Sequence, residues 1–255
     1  MELQGKTAWV VGASGTLGQQ ISIDLAAAGA NVYVSSRDAQ KLQTFASTAD
    51  REHKAKLHPV AADITDRKSV DNAAAKIIKE SGRLDILVNT TSLSLFGDFL
   101  ELDDETWIKV LQTKQLGYMR TARAVIPQMR KQKSGVIVNV SGKGGRMPRD
   151  IHLPGCSANA AVNLLTKGLA MTYGKDGIRV VAVSPGVIDS PRLAAIRKSS
   201  ADRNSLDQAA ADKAIQGSNY LGRLGSANEV SNAVLFAVSD RAGFTTGTVI
   251  EVDGG

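Results

Sequence analysis

A glycine-rich segment near the start of the chain has the spacing of a phosphate-binding loop. It follows an apolar run over 7–12 and opens a segment with helical spacing. Glycines at such a turn let the backbone approach a pyrophosphate, and the helix N-terminus that follows favours an anion. Taken alone, the glycines are equally typical of an ordinary turn. The residues predicted to bind a dinucleotide here are Gly12, Ser14, Gly15, Thr16, Leu17 and Gly18.

Ser36 and Arg37 end the second apolar run, where one side chain selects between the two nicotinamide cofactors. An acidic residue there binds the ribose hydroxyls, whereas a basic residue accepts the additional 2′-phosphate. The sequence therefore predicts NADP(H), although a surface arginine at the start of a helix would look the same. After the third run, Asp63 and Ile64 are expected beside the adenine, unless Asp63 or Thr65 caps a helix instead.

A basic cluster, Lys143, Arg146 and Arg149, precedes the sole cysteine, Cys156. It could attract an anionic substrate. A solvated, glycine-rich surface loop is an equally good interpretation, because charged residues in loops are commonly exposed.

Seven apolar runs rich in β-branched residues predict the strands that position these groups. The runs are apolar throughout, which is typical of parallel strands covered on both faces by helices. The predicted fold class is therefore α/β, a Rossmann-type doubly wound seven-stranded parallel sheet in three layers. The predicted strands are 7–12, 31–35, 57–61, 86–89, 135–140, 179–184 and 248–252, and the predicted helices are 17–28, 39–46, 68–80, 103–131, 157–173 and 228–238.

Length and composition indicate one ordinary globular domain. The chain has 255 residues, of which 43% are hydrophobic and 22% are charged, so a disordered chain is excluded. No linker or repeat divides it, and we predict a single NADP(H)-binding domain over 1–255. The irregular stretch 189–225 is expected to be a substrate lid.

Charge and cysteine content limit the classes of partner. The net charge is +6, but the basic residues are scattered among acids and aromatic residues make up only 4% of the chain. That pattern argues against nucleic acid. The longest apolar run, 25–30, falls short of the roughly 20 residues that span a bilayer, and no secretory signal is recognisable. We therefore predict a cytoplasmic protein that binds neither nucleic acid nor membrane and has no metal site.

Over its whole length the sequence resembles the short-chain dehydrogenase/reductase family. The motifs that carry the resemblance are the glycine loop, Asp63-Ile64, 85–89, Trp107 with Gly117, 135–141, Ser184-Pro185-Gly186 with Ser190, 223–225 with Glu229, and 246–255. The resemblance implies that Pro185, Gly186 and Ile188 border the nicotinamide and that Asn89 and Thr90 lie beside the cofactor. It also implies a homotetramer or homodimer formed through the helices near 103–131 and 157–175.

The resemblance stops at the four residues with which this family reduces carbonyls. These are a Tyr that donates the proton, a Lys four residues later, a Ser that polarises the substrate and an Asn that holds a water. In this sequence Cys156 aligns with the Tyr, Ala160 with the Lys and Lys114 with the Asn. The Ser position falls on Gly142, with Ser141 one residue earlier, and no tyrosine is followed four residues later by a lysine.

Three side chains could replace the missing chemistry. The resemblance places Lys114 near the space left by Ala160, where its ammonium would favour the nucleophilic thiolate of Cys156. A buried packing cysteine and a solvated lysine are the alternative. His152, four residues before Cys156, could donate a proton, or it could have only a structural role.

The sequence thus predicts an NADP(H)-binding oxidoreductase with a substituted active site and a small-molecule substrate, for which an anion is one option. The candidate catalytic residues are Lys114, Ser141, His152 and Cys156. One alternative is a non-redox enzyme that uses Cys156, Lys114 or His152 for elimination, isomerisation or addition. Another is a catalytically inactive cofactor-binding or oligomer-partner subunit.

Overall fold

The computed structural model describes residues 2–93, 95–191, 193, 213, 217 and 219–255. A parallel sheet of seven strands forms its centre, in the order β3-β2-β1-β4-β5-β6-β7. The predicted fold class is confirmed. The strands are β1 Thr7–Val11, β2 Asn31–Ser35, β3 Leu57–Pro59, β4 Ile86–Asn89, β5 Gly135–Val140, β6 Ile178–Pro185 and β7 Val249–Val252.

Helices cover both faces of the sheet, as the continuously apolar strands require. The helices longer than one turn in the described ranges are α1 Thr16–Ala27, α2 Ala39–His53, α3 Arg67–Ser81, α4 Asp104–Thr113, α5 Gln115–Gln132, α6 Leu153–Tyr173 and α7 Ala227–Val238. One core cluster includes Leu25 of α1 and Val230 of α7. The other includes Ile77 of α3, Tyr118 of α5 and Val162 of α6. The sheet therefore lies between two apolar layers.

Two helices differ from their predicted bounds in ways that affect the site. The predicted helix 103–131 is interrupted at Lys114, whose backbone (φ −97°, ψ −65°) departs from the helical geometry of α4 and α5. Helix α6 begins at Leu153 and not at 157, because Pro154 fits a first helical turn, where no backbone N–H is needed. Both differences concern residues at the carboxyl edge of the sheet.

Much of the predicted lid, 189–225, lies outside the described residues. At its two ends, Ile188 pairs with Gly225 in a parallel bridge, and Asp189 N donates a 2.8 Å hydrogen bond to Gly225 O. Within the described ranges, no helix is long and apolar enough to cross a membrane. The same ranges contain no group of three or more side chains suited to binding a metal ion.

Candidate active site

A cleft of about 750 Å³ opens at the carboxyl ends of the central strands. The strand order reverses between β1 and β4, and ligands of doubly wound folds bind at such a switch point. The glycine loop lines the cleft beside β1, and the loop that leads into α6 lines it beside β5.

The glycine loop has the close backbone packing that a phosphate cradle needs. Gly12 has a positive φ of 87°, and a Cβ atom there would lie 2.7 Å from Thr90 Oγ1. A Cβ atom on Gly18 would overlap the backbone of Gly12 and Ala13. Gly15 caps α1 without a side-chain hydrogen bond, so the first-turn N–H groups remain available at the cleft. These features suit the diphosphate of a dinucleotide.

Ser36 and Arg37 line the same end of the cleft. The Arg37 side chain is exposed, and in the described part of the chain no carboxylate forms an ion pair with it. Ser36 Oγ donates a 3.1 Å hydrogen bond to Asp38 O, and Asp38 in turn caps α2 by accepting from Lys41 N. The arrangement leaves a guanidinium beside the glycine loop.

Asp63 does not line the cleft, whereas Ile64 does. Asp63 Oδ1 accepts hydrogen bonds from both Thr65 N and Thr65 Oγ1, at 2.8 and 2.7 Å. The N-cap of α3 is neither Asp63 nor Thr65 but Asp66. One carboxylate oxygen of Asp63 is thus engaged within its own turn, and its place beside the adenine stays a prediction.

The side chain of Asn89 lies in the interior, and its place beside the cofactor stays a prediction. It is fully buried, and its Nδ2 donates a 3.0 Å hydrogen bond to Asn139 Oδ1 of the neighbouring strand. Asn139 Nδ2 donates to Thr166 Oγ1 of α6 at 3.0 Å, and Thr121 Oγ1 of α5 donates to Asn89 Oδ1 at 2.9 Å. The side chain of Asn89 thus links the sheet to two helices, and Thr90, which follows it, lines the cleft.

Lys114 brings a buried ammonium group into the cleft. Its exposed fraction is 6%, and its Nζ donates a 2.9 Å hydrogen bond to Ser141 O. The Nζ atom also lies 5.8 Å from the centroid of the Tyr118 ring. A solvated lysine, one alternative left open by the sequence, is therefore wrong. Lys114 lies at the junction of α4 and α5 and lines the cleft.

Helix α6 presents Asn159 to the cleft, and not Ala160. Ala160 is exposed to solvent, so the expected gap at this residue beside Lys114 is absent from the described cleft. Asn159 is only 8% exposed, and none of the described residues forms a hydrogen bond with its Oδ1. Ser141 Oγ is also buried, and within the described part of the chain it has no hydrogen-bond partner. Asn159 was missed in the sequence, although it lies one turn after Gly155 and so shares its helix face.

His152 lies against the first turn of α6. Its Nδ1 atom is 2.8 Å from Leu95 O, and its ring packs against Phe96 with centroids 4.6 Å apart. A Cβ atom on Gly155 would overlap the imidazole ring, so the histidine occupies the space over that glycine. His152 lines the cleft.

Cys156 is buried at the cleft and held by the backbone of the preceding loop. Arg149 N donates a 3.4 Å hydrogen bond to Cys156 Sγ. A Cβ atom on Gly144 would lie 2.7 Å from the same sulfur. The packing role considered for this cysteine matches these contacts, and its activation by Lys114 stays a prediction.

Two members of the basic cluster form ion pairs with the last strand and its extension. Arg146 Nη2 lies 3.0 Å from Asp253 Oδ2, and its Nε lies 3.6 Å from Glu251. Lys143 Nζ lies 3.5 Å from Asp253 and 2.6 Å from Gly255 O. Burial raises the pKa of Asp253, but the Gly255 N–H and the two cations outweigh it and leave the pKa below its usual range. The cluster is therefore not one free basic surface.

Comparison with known proteins agrees with this geometry. Residues 6–201 match the sequence profile of the short chain dehydrogenase family. Oxidoreductase UcpA of Salmonella typhimurium is 34% identical, with 100% of this chain and 95% of the relative covered. The 3-oxoacyl-acyl-carrier-protein reductase FabG of Escherichia coli is 31% identical, with 100% and 98% covered.

Solved structures are similar over the same length. An actinorhodin polyketide ketoreductase with NADPH superposes with a TM-score of 0.94 at 27% identity, covering 98% of this chain and 96% of the ketoreductase. An L-sorbose reductase from Gluconobacter frateurii, complexed with NADPH and L-sorbose, gives 0.91 at 26% identity, with 100% and 98% covered.

The sheet order and the glycine-lined cleft define a dinucleotide-binding α/β protein of the oxidoreductase type. More specifically, the chain belongs to the short chain dehydrogenase family.

Proposed function

We propose that the protein is an NADP(H)-dependent oxidoreductase with a substituted active site, in which His152 exchanges the proton with a small carbonyl or alcohol substrate. The observation that carries this proposal is the imidazole over Gly155 in the cleft. The helix N-terminus and glycine loop would hold the cofactor diphosphate, and Arg37 its 2′-phosphate. Two similar reductases are described with NADPH, which supports the choice of cofactor.

The register of helix α6 supports the role of His152. The family's Tyr and Lys are four residues apart, so both lie on the helix face toward the cleft. Because Asn159 lines the cleft and Ala160 is exposed, we assign the Lys position to Asn159, and the Tyr position four residues earlier then falls on Gly155. This replaces the alignment of the Tyr with Cys156. The tyrosine position then has no side chain, and His152 fills the space.

The proton chemistry is assigned to atoms of the chain itself. When bound, NADPH supplies the hydride for carbonyl reduction. The contact between His152 Nδ1 and Leu95 O fixes the ring and favours the tautomer with the proton on Nδ1 in the neutral form. Nε2 is then the atom that gains and loses the exchanged proton. The buried Lys114 ammonium adds positive charge where an alkoxide would develop.

Activity toward ordinary ketones is expected to be low, because the Tyr–Lys pair is missing and a positioned general acid is typically worth about 10²- to 10⁴-fold. NADPH oxidation with a panel of aldehydes and ketones tests the proposal. His152→Gln should lower kcat by about 10²-fold or more and remove the pH dependence due to an imidazole. His53→Gln, at the exposed end of α2, is the matched control. Unchanged kcat in His152→Gln would contradict the role of His152.

We also propose a homotetramer or homodimer. Large apolar side chains are exposed on the helices that the family resemblance assigns to interfaces: Ile108 on α4 is 56% exposed, and Leu164 and Met171 on α6 are 73% and 77% exposed. Exposed apolar groups on neighbouring helices favour a protein contact. Light scattering of the parent and of Leu164→Glu tests this, with a shift to smaller species expected. A cytoplasmic location stays a prediction.

A further inference from the structure

We infer that the substrate is an oxo acid or the corresponding hydroxy acid, whose carboxylate is bound by Arg149. This inference rests on the proposed function and adds the chemical class of the substrate.

The charged side chains that line the cleft are all positive. Its lining includes the cationic side chains of Arg37, Lys114, Lys143 and Arg149. No Asp or Glu lines it within the described part of the chain. A cleft with positive charges and low-dielectric walls concentrates anions. The cofactor accounts for the charge of Arg37 at the glycine loop, and the remaining three cations lie at the other end.

Arg149 is the cation of that end whose charge is available to a ligand. Lys143 is already bound to Asp253. Lys114 Nζ donates a hydrogen bond to Ser141 O. Among the described residues, no carboxylate lies within ion-pair distance of the Arg149 guanidinium. A guanidinium binds a planar carboxylate through two parallel hydrogen bonds, which gives both affinity and orientation.

The backbone holds Arg149 beside the proposed proton donor. Its N–H donates to Cys156 Sγ at 3.4 Å, and its carbonyl accepts from His152 N at 3.1 Å. The base of the side chain is therefore fixed three residues before His152. A carboxylate on Arg149 would bring the neighbouring carbons of a short oxo acid toward the imidazole.

Two buried polar groups provide the other half of the substrate site. Ser141 and Asn159 line the cleft and are more than nine-tenths buried, and among the described residues neither Ser141 Oγ nor Asn159 Oδ1 has a hydrogen-bond partner. Buried polar atoms are normally hydrogen-bonded, because leaving them unpaired costs free energy. A substrate hydroxyl can donate to Asn159 Oδ1, and a carbonyl oxygen can accept from Ser141 Oγ. The carbonyl is that of the oxo acid and the hydroxyl is that of the hydroxy acid formed by its reduction, so the two polar atoms suit the two forms of one substrate.

Calorimetry separates charge recognition from turnover. Butanoate and butanamide have nearly the same shape but differ in charge, and both are titrated into protein saturated with NADP+, so that the cofactor phosphate site is filled. We expect butanoate to bind at least about tenfold more tightly than butanamide. Arg149→Gln should abolish that preference. Arg146→Gln removes the same charge from the same loop, where it is paired with Asp253, and should preserve the preference.

Equal binding of the two compounds, no saturable binding of butanoate, or the same loss in both variants would overturn the inference. Tighter binding of inorganic phosphate than of butanoate would overturn the assignment to a carboxylate. NADPH oxidation distinguishes the two proposals. If neutral ketones are reduced but butanoate is not preferred, only the proposed carboxylate site is refuted. If butanoate is preferred but no carbonyl compound is reduced, only the proposed redox function is refuted.

Discussion

The imidazole of His152 occupies the space that a side chain at Gly155 would need, because a Cβ atom on residue 155 would overlap the ring. The pairing explains why a glycine is found inside the first turns of α6, where it costs helix stability. A side chain at 155 and the observed position of His152 exclude each other.

Gly155→Ala should therefore displace the His152 ring and lower the free energy of unfolding by about 1–3 kcal/mol, the usual cost of overpacking. Gly168→Ala is the control in the same helix. Nothing lies within 4 Å of a Cβ atom added there, so it should stabilise the protein by about 0.5–1 kcal/mol. Urea unfolding measures both. An equal response of the two variants would contradict the close packing at Gly155.

Arg37→Ala should remove the preference for NADPH over NADH. If the guanidinium makes charge-assisted bonds to the 2′-phosphate, the parent should favour NADPH by about 1.5–3 kcal/mol. Calorimetry with both cofactors measures this difference. Arg51→Ala, an exposed arginine near the end of α2, should leave it unchanged. Equal affinities in the parent protein would show that the arginine does not select the cofactor.

Thr166→Val should lower the free energy of unfolding by about 1–3 kcal/mol, because it leaves Asn139 Nδ2 buried without its acceptor. Thr172→Val lies on the same helix but removes only an exposed bond to Gly168 O, and its effect should stay within about 0.5 kcal/mol. Chemical denaturation compares the two. A small effect of Thr166→Val would mean that the network Asn89–Asn139–Thr166 adds little stability.

Glu229 should make stability depend on acid pH. Hydrogen bonds from Arg223 and from Ser226 N lower the pKa of Glu229 from 4.5 to about 2. In the unfolded chain the group binds a proton near its ordinary pKa, so the folded state is favoured above 4.5 and loses this contribution as the pH falls toward 2.

The measurement is the urea midpoint of the parent, of Glu229→Gln and of Glu101→Gln between about pH 6 and pH 2, a range that runs from above the ordinary pKa of Glu229 down to its lowered value. Glu229→Gln should weaken the fall in midpoint over the acid range, whereas Glu101→Gln, an exposed carboxyl in a turn, should follow the parent. Parallel curves for all three would contradict the assignment of the acid-sensitive contribution to Glu229.

Much of the fold followed from local sequence features. Continuous apolar runs indicated all seven strands, and a parallel sheet with helices on both faces is the arrangement that buries them. The glycine loop could be placed because its spacing and the strand before it act locally. Arg37 could be placed for the same reason, since it follows shortly after β2, the strand that pairs with β1.

Tertiary structure alone decided the roles of the polar residues. The sequence could not show that the Asn89 side chain joins a hydrogen-bond network between strand and helices, or that Asp63 Oδ1 accepts two hydrogen bonds from Thr65. Several partners compete for each of these groups. The gap was predicted at Ala160, but in the structure Ala160 is exposed and the residue before it, Asn159, faces the cleft. The space over Gly155 is filled by the side chain of His152, which belongs to the turn before α6. Such a replacement of one side chain by another can be seen only in the packed structure.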